Sequence, residues 1–216
     1  MFTLLAGVAL AGGIGMANLA TGTGAPPVAG AANAAGAPPT TQQTQSPTTQ
    51  PAKTVDAPAR ADYAGRVDGG GASVAVSVRD GHAIAYVCDG KKIEAWLQGV
   101  TVGGKLDLKG TKGANLAGSY DAAAVTGSVT AGGKTWRFTA GPAKKPAGLY
   151  RATPKVKGKG AKVGWIVQAD GSQVGILTTD DDQSAAAPAL DPAAGIATVD
   201  GAPVTAEAIS GIAGGF

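Results

Sequence analysis

One histidine and one cysteine in 216 residues leave few ways to build a nucleophile or a metal centre. His82 and Cys88 fall on one predicted strand, in phase but about 20 Å apart along it. They cannot form a nucleophile–base pair, and no Gly-x-Ser-x-Gly elbow supplies another. Cys88 alternates with Ile84 and Tyr86, which predicts a small buried thiol; a lone cysteine excludes an intramolecular disulfide. The run Gly127–Thr135 resembles a phosphate-binding loop. It has Ser128 where the first loop glycine belongs, and Thr135-Trp136-Arg137-Phe138 alternates like a strand where a helix is needed. Asp180-Asp181-Asp182 lacks the central glycine and distal glutamate of a calcium hand and reads as a solvated acidic run. No catalytic, metal or cofactor site is predicted.

Two sets of residues remain for binding. The first is a basic segment without acids: Lys144, Lys145, Arg151, Lys155, Lys157, Lys159 and Lys162. Residues 60–182 carry 17 basic and 11 acidic groups, a net of +6, so this segment supplies most of the excess. It suits an anionic polymer or surface, or equally a charged edge that keeps sheets from pairing. Nucleic acid is not expected, given the export segment at residues 1–20 and the lack of aromatics among the cations apart from Tyr150. The second set is aromatic. Tyr86, Trp96 and Trp136 could line a ligand pocket, although tryptophans in a small barrel usually anchor its core.

The elements that must position these residues read as β. Residues 73–79 alternate strictly, as a strand with one buried face should. Asp80-Gly81 follows, and residues 82–88 run to a second such turn at Asp89-Gly90. Further strands are predicted at 93–102, 105–109, 116–120, 125–130, 135–139, 148–153, 163–169 and 173–178, with turns at Gly103-Gly104, Gly132-Gly133 and Asp170-Gly171. Gly118 and Gly127 inside strands predict tight bends. About 8–10 short strands with no helical period make an all-β class, a small antiparallel barrel or sandwich.

The ends differ in composition. No charged residue precedes Lys53. Residues 1–20 are uncharged and apolar, near the minimum length for a membrane span; they are expected to form an apolar helix that is a signal anchor, or a signal peptide cleaved at the Ala-x-Ala of 29–31 or 32–34. Residues 21–59, rich in Ala, Pro, Thr and Gln, are an expected disordered linker. The β-domain spans 60–182. An Ala/Pro-rich tail, 183–216, offers one hairpin at 196–199 and 203–209.

The stretches 86–97, 148–152, 164–167, 170–175 and 190–204, beginning with Tyr86-Val87-Cys88-Asp89-Gly90, resemble those of uncharacterised exported or membrane-anchored actinobacterial proteins with a Pro/Thr-rich linker and a β-rich domain outside the cytoplasmic membrane. The resemblance spans roughly residues 63–209 and implies a location, the cell envelope, without implying an activity. The expected function is a non-enzymatic envelope module, tethered through residues 1–20, that binds a partner protein or an anionic envelope polymer. The alternative expectation is a lipocalin-like carrier of a small apolar ligand.

Overall fold

The computed structural model describes residues 56–212. The expected N-terminal helix, and the expected linker up to residue 55, lie outside them. The described residues form seventeen strands, more than the 8–10 expected, and none is helical. No helix among them is long and apolar enough to cross a membrane.

Strands β1 (Arg60–Arg66), β2 (Ser73–Arg79), β3 (His82–Cys88), β4 (Glu94–Val102), β5 (Lys105–Gly110), β6 (Asn115–Tyr120), β7 (Val125–Ala131) and β8 (Lys134–Pro142) pair antiparallel in chain order. The barrel closes where Tyr63 and Ala64 meet Pro142 and Gly141. Tight hairpins at Asp80-Gly81, Gly103-Gly104 and Gly132-Gly133 join the strands. Both central residues of each have positive φ, which matches the right-handed twist of the flanking strands. Asp89-Gly90 is different from the tight turn expected. Asp89 Oδ1 accepts the backbone N–H groups of Lys91, Lys92 and Ile93 at 2.8–2.9 Å, so a carboxylate-capped loop connects β3 to β4. Asp170-Gly171 likewise sits in a longer loop, closed by Gln168 N–H on Ser172 O.

Alternate residues fill the barrel interior: Val74, Val76, Val78, Ala83, Ala85, Leu97, Leu108, Leu116, Val125, Val129, Phe138 and Tyr63 among them, none more than 2% exposed. The strands predicted at 148–178 are not part of this barrel. Strands β9 (Gly148–Ala152), β11 (Lys159–Val167), β12 (Gln173–Thr179), β13 (Ser184–Ala186) and β17 (Glu207–Ile209) make a second sheet in the order β13-β12-β11-β9-β17, with β10 (Lys155–Val156) beside β11. That sheet lies on the outer face of β2 and β3. Ala75, Tyr86 and Cys88 meet Leu149, Ile166, Ile176 and Ile209 there, all buried. Full burial of each of those four aliphatic side chains contributes about 1.5–3 kcal/mol. A third, small sheet of β14 (Leu190–Asp191), β15 (Ile196–Val199) and β16 (Ala202–Thr205) covers the opposite face, over Tyr150, Val163, Trp165 and Val167.

Stacking of the layers corrects the reading of residues 73–79. Both faces of β2 are buried, not one. Its second face, Ser73-Ala75-Ser77, looks polar in sequence but is small enough to sit under a sheet, and Ser77 Oγ donates to Ile209 O at 3.0 Å.

Next to that contact, buried Asp62 on β1 holds the C-terminal segment. Its Oδ1 accepts Gly211 N–H at 2.7 Å and its Oδ2 accepts the Ser210 hydroxyl. A charge-assisted contact of this kind contributes about 1.5–3 kcal/mol. Asp62→Ala is therefore expected to cost about 2 kcal/mol and to make residues beyond 205 sensitive to limited proteolysis. Mass spectrometry of the digest checks it, and an unchanged cleavage pattern counts against the clasp.

Candidate functional site

On the outer face of β4, Glu94 and Trp96 point away from the barrel interior toward the second sheet. Trp96 stacks on Tyr86 of β3, ring centroids 4.3 Å apart and planes 34° from parallel. Tyr86 is fully buried beneath it. The stack is seated on Gly164 of β11, where a Cβ would lie only 2.7 Å from Trp96 Cζ2 and Tyr86 Cζ. Any side chain at 164 would push the rings off the sheet, which is why the strand has a glycine at its middle.

Glu94 ties the two layers together. Its Oε2 accepts the Tyr86 hydroxyl at 2.9 Å, and its Oε1 accepts the Thr178 hydroxyl of β12 at 2.5 Å. Burial, then the neighbouring Cys88 and Glu94, raise the Tyr86 phenol well above its ordinary range. Burial likewise pushes the Cys88 thiol up to about 12, although the neighbouring Tyr86 hydroxyl pulls it the other way. At neutral pH this sulfur is a packing group and not a nucleophile. His82 is exposed at the opposite end of β3.

Two concavities flank the Glu94–Trp96 ridge. One, about 390 Å³, is lined by Trp96, Arg151, Lys162, Thr153, Thr205 and Glu207. Register explains why these meet. Arg151 of β9 sits directly opposite Gly164, and Glu207 of β17 sits opposite Arg151. Lys162 precedes Gly164 by two residues on β11, so all four share the barrel-facing side. Arg151 Nε lies 3.6 Å from Glu207 Oε2, whereas Lys162 makes no ion pair among the described residues. The other concavity, about 480 Å³, has Lys92, Lys112, Glu94, Thr178, Asp182 and Ser184 on its walls; its charges balance, and Lys112 faces Asp182 at 3.9 Å.

The seven basic residues do not form one patch. Lys144 and Lys145 are exposed in the turn between β8 and β9. Lys157 occupies the β10–β11 turn with φ 48°, and its N–H donates to Asp200 Oδ2 at 2.8 Å. Lys159 pairs with Asp181 at 2.7 Å, a contact that, with the Thr179 hydroxyl, holds that carboxyl down to about 2. Lys155 is exposed at the hairpin. Arg151 and Lys162 alone line the groove beside Trp96.

The aromatic set also divides. Tyr86 and Trp96 are together, but Trp136 packs against the barrel-interior cluster, away from the second sheet. Trp165 is buried under the third sheet, its indole N–H donating to Pro188 O at 2.8 Å. Gly127–Thr135 is the β7–β8 hairpin. Among the described residues no three His, Cys, Asp or Glu side chains are grouped to hold a metal ion.

The site residues missed in the sequence are Glu94, Thr153, Gly164, Thr178, Thr205 and Glu207. Only Gly164 carried a signal, a glycine interrupting an apolar strand between Val163 and Trp165. Comparison with protein-family models, with curated proteins and with solved structures finds no match to this chain.

Proposed function

We propose that this chain is a non-enzymatic cell-envelope module, held at the outer face of the cytoplasmic membrane by residues 1–20, whose β-domain binds an anionic envelope polymer. The observation that carries the reading is the groove where Arg151 and Lys162 flank the rim of a fixed tryptophan. Charge-assisted contacts from a guanidinium and an ammonium suit carboxylate or phosphate groups. The linker composition and the apolar leader support an extended tether that would present this groove away from the membrane. The deep burial of Cys88 and its raised thiol support a binding module more than a nucleophilic enzyme.

The full chain should be retained on an immobilised polyanion such as polygalacturonate and released by salt, because exposed charge contacts are screened over about 8–10 Å at physiological ionic strength. The double variant Arg151→Gln, Lys162→Gln is expected to weaken retention by about tenfold, equal to about 1.4 kcal/mol. Lys144→Gln, Lys145→Gln should weaken it much less. No retention, retention indifferent to salt, or equal effects of the two variants would overturn the reading. Turnover of an acyl, glycosyl or phosphoryl substrate would do so as well, as would capture of a protein partner at this groove without polymer binding.

A further inference from the structure

The groove has only two cations, and one of them already faces a carboxylate. Arg151 has Glu207 at 3.6 Å, so the walls carry two positive charges and one negative. A track for an indiscriminate polyanion would hold more cations and no acid, since each phosphate or carboxylate along the chain needs its own counter-charge. The charge balance here suits a ligand unit with one acidic group together with several hydroxyls. Glu207 can accept hydrogen bonds from hydroxyls, and Thr153 and Thr205 add hydroxyls that both donate and accept.

Trp96 supplies the second requirement. It is half-buried, and the structure fixes it from behind: the Tyr86 ring lies against it at 4.3 Å, Gly164 takes its Cζ2 edge, and Glu94 locks Tyr86 through the hydroxyl. A side chain held this way loses little rotamer freedom when a ligand arrives. Its π surface carries a negative quadrupole, which attracts the polarised C–H groups on the flat face of a pyranose ring. A volume of about 390 Å³ falls within the range of small-ligand clefts.

We infer that the groove recognises an acidic pyranose within a glycan: the sugar ring rests on Trp96, its carboxylate is taken by Lys162 and Arg151, and its ring hydroxyls meet Glu207, Thr153 and Thr205. This rests on the anionic-polymer reading and sharpens it to a ring-bearing acidic glycan.

The test uses the full chain and three probes of matched length in calorimetry: oligogalacturonate, a neutral β-glucan oligosaccharide, and linear polyphosphate. Oligogalacturonate should bind about tenfold or more tighter than either of the others. Its addition should change tryptophan fluorescence in the wild type and not in Trp96→Phe, a variant that keeps an aromatic over Tyr86 and preserves the fold. Lys162→Gln should weaken oligogalacturonate binding by about tenfold and so remove most of the preference over the neutral oligosaccharide. Polyphosphate binding as tightly as oligogalacturonate, or an unchanged fluorescence response in Trp96→Phe, overturns the acidic-pyranose assignment and leaves the polyanion reading standing. Binding of the neutral glycan at equal strength, or of no probe at all, overturns both.

Discussion

Gly118→Val or Gly127→Val is expected to cost about 3 kcal/mol or more, the upper range for forced overpacking. For a domain of this size that lowers the melting temperature by about 6–12 °C. The two glycines are directly opposite each other on β6 and β7. A Cβ at 118 would sit 2.3 Å from Thr126 O, and one at 127 would sit 2.3 Å from Ala117 O. These obstacles are backbone carbonyls, which cannot rotate away as a side-chain tip can. Relief requires the strands to separate, and in a closed barrel separation at one seam strains every other seam. Gly141→Ala is the matched control: it too is a strand glycine, at the β1–β8 seam, but has nothing within 4 Å of its Cβ position. Thermal and urea unfolding followed by circular dichroism measures all three. A Gly118→Val protein within about 1 kcal/mol of wild type would show that β6 and β7 do not approach this closely.

Both glycines stand out in the sequence, but in place of the tight bends expected there the structure has a continuous β6–β7 register in which the two backbones approach closely. From β2 to β8 the apolar alternation and the paired positive-φ turns place strand after strand to within one residue, because both signals are local; the exception is the end of β8, which runs three residues further than expected, to Pro142. β1 was not legible. Its Asp62 breaks the apolar pattern, and the reason for an acid there, the hold on Ser210 and Gly211, lies almost 150 residues away in the chain. The double-sided burial of β2 was hidden for a related reason. Serine and alanine at 73, 75 and 77 read as a solvent face until a second sheet is known to cover them. The very short strands β13 and β14 have three and two residues, too few for any periodicity, and the single strand expected at 203–209 is split at Ala206 into β16, paired with β15, and β17, paired with β9 in the second sheet. As for the groove, Trp96, Arg151 and Lys162 were each identifiable from residue type alone. Their meeting depends on the β9–β11 register and on how the sheet lies against β4, and neither is written in local sequence.

Alkaline conditions should unfold this protein earlier than its composition suggests, through groups that the fold keeps protonated. Cys88 moves from an ordinary value of 9.0 to about 12, burial being the main cause. Tyr63, whose hydroxyl donates to Asp121 O, moves from 10.0 to about 12, again chiefly by burial. For both, the folded value exceeds the unfolded one. Their contribution is therefore complete below the unfolded value and is lost as the pH rises through the folded value. The thiol begins this loss near pH 9. At about 1.4 kcal/mol per pH unit it takes away roughly 4 kcal/mol by pH 12, a large part of the stability of an ordinary domain. Urea unfolding at pH 8, 9, 10 and 11 measures the slope, and Cys88→Ala isolates the thiol. Removing the sulfur lowers stability at every pH by leaving a small cavity, so the diagnostic quantity is the slope and not the intercept. Between pH 9 and 10, where unfolded thiols ionise ahead of most tyrosines and lysines, wild type should lose about 1 kcal/mol more than Cys88→Ala. Parallel slopes in the two proteins would mean that Cys88 ionises in the folded chain as readily as in the unfolded one, and that the second sheet does not seal the outer face of β3 and β4 on which Tyr86 and Trp96 are built.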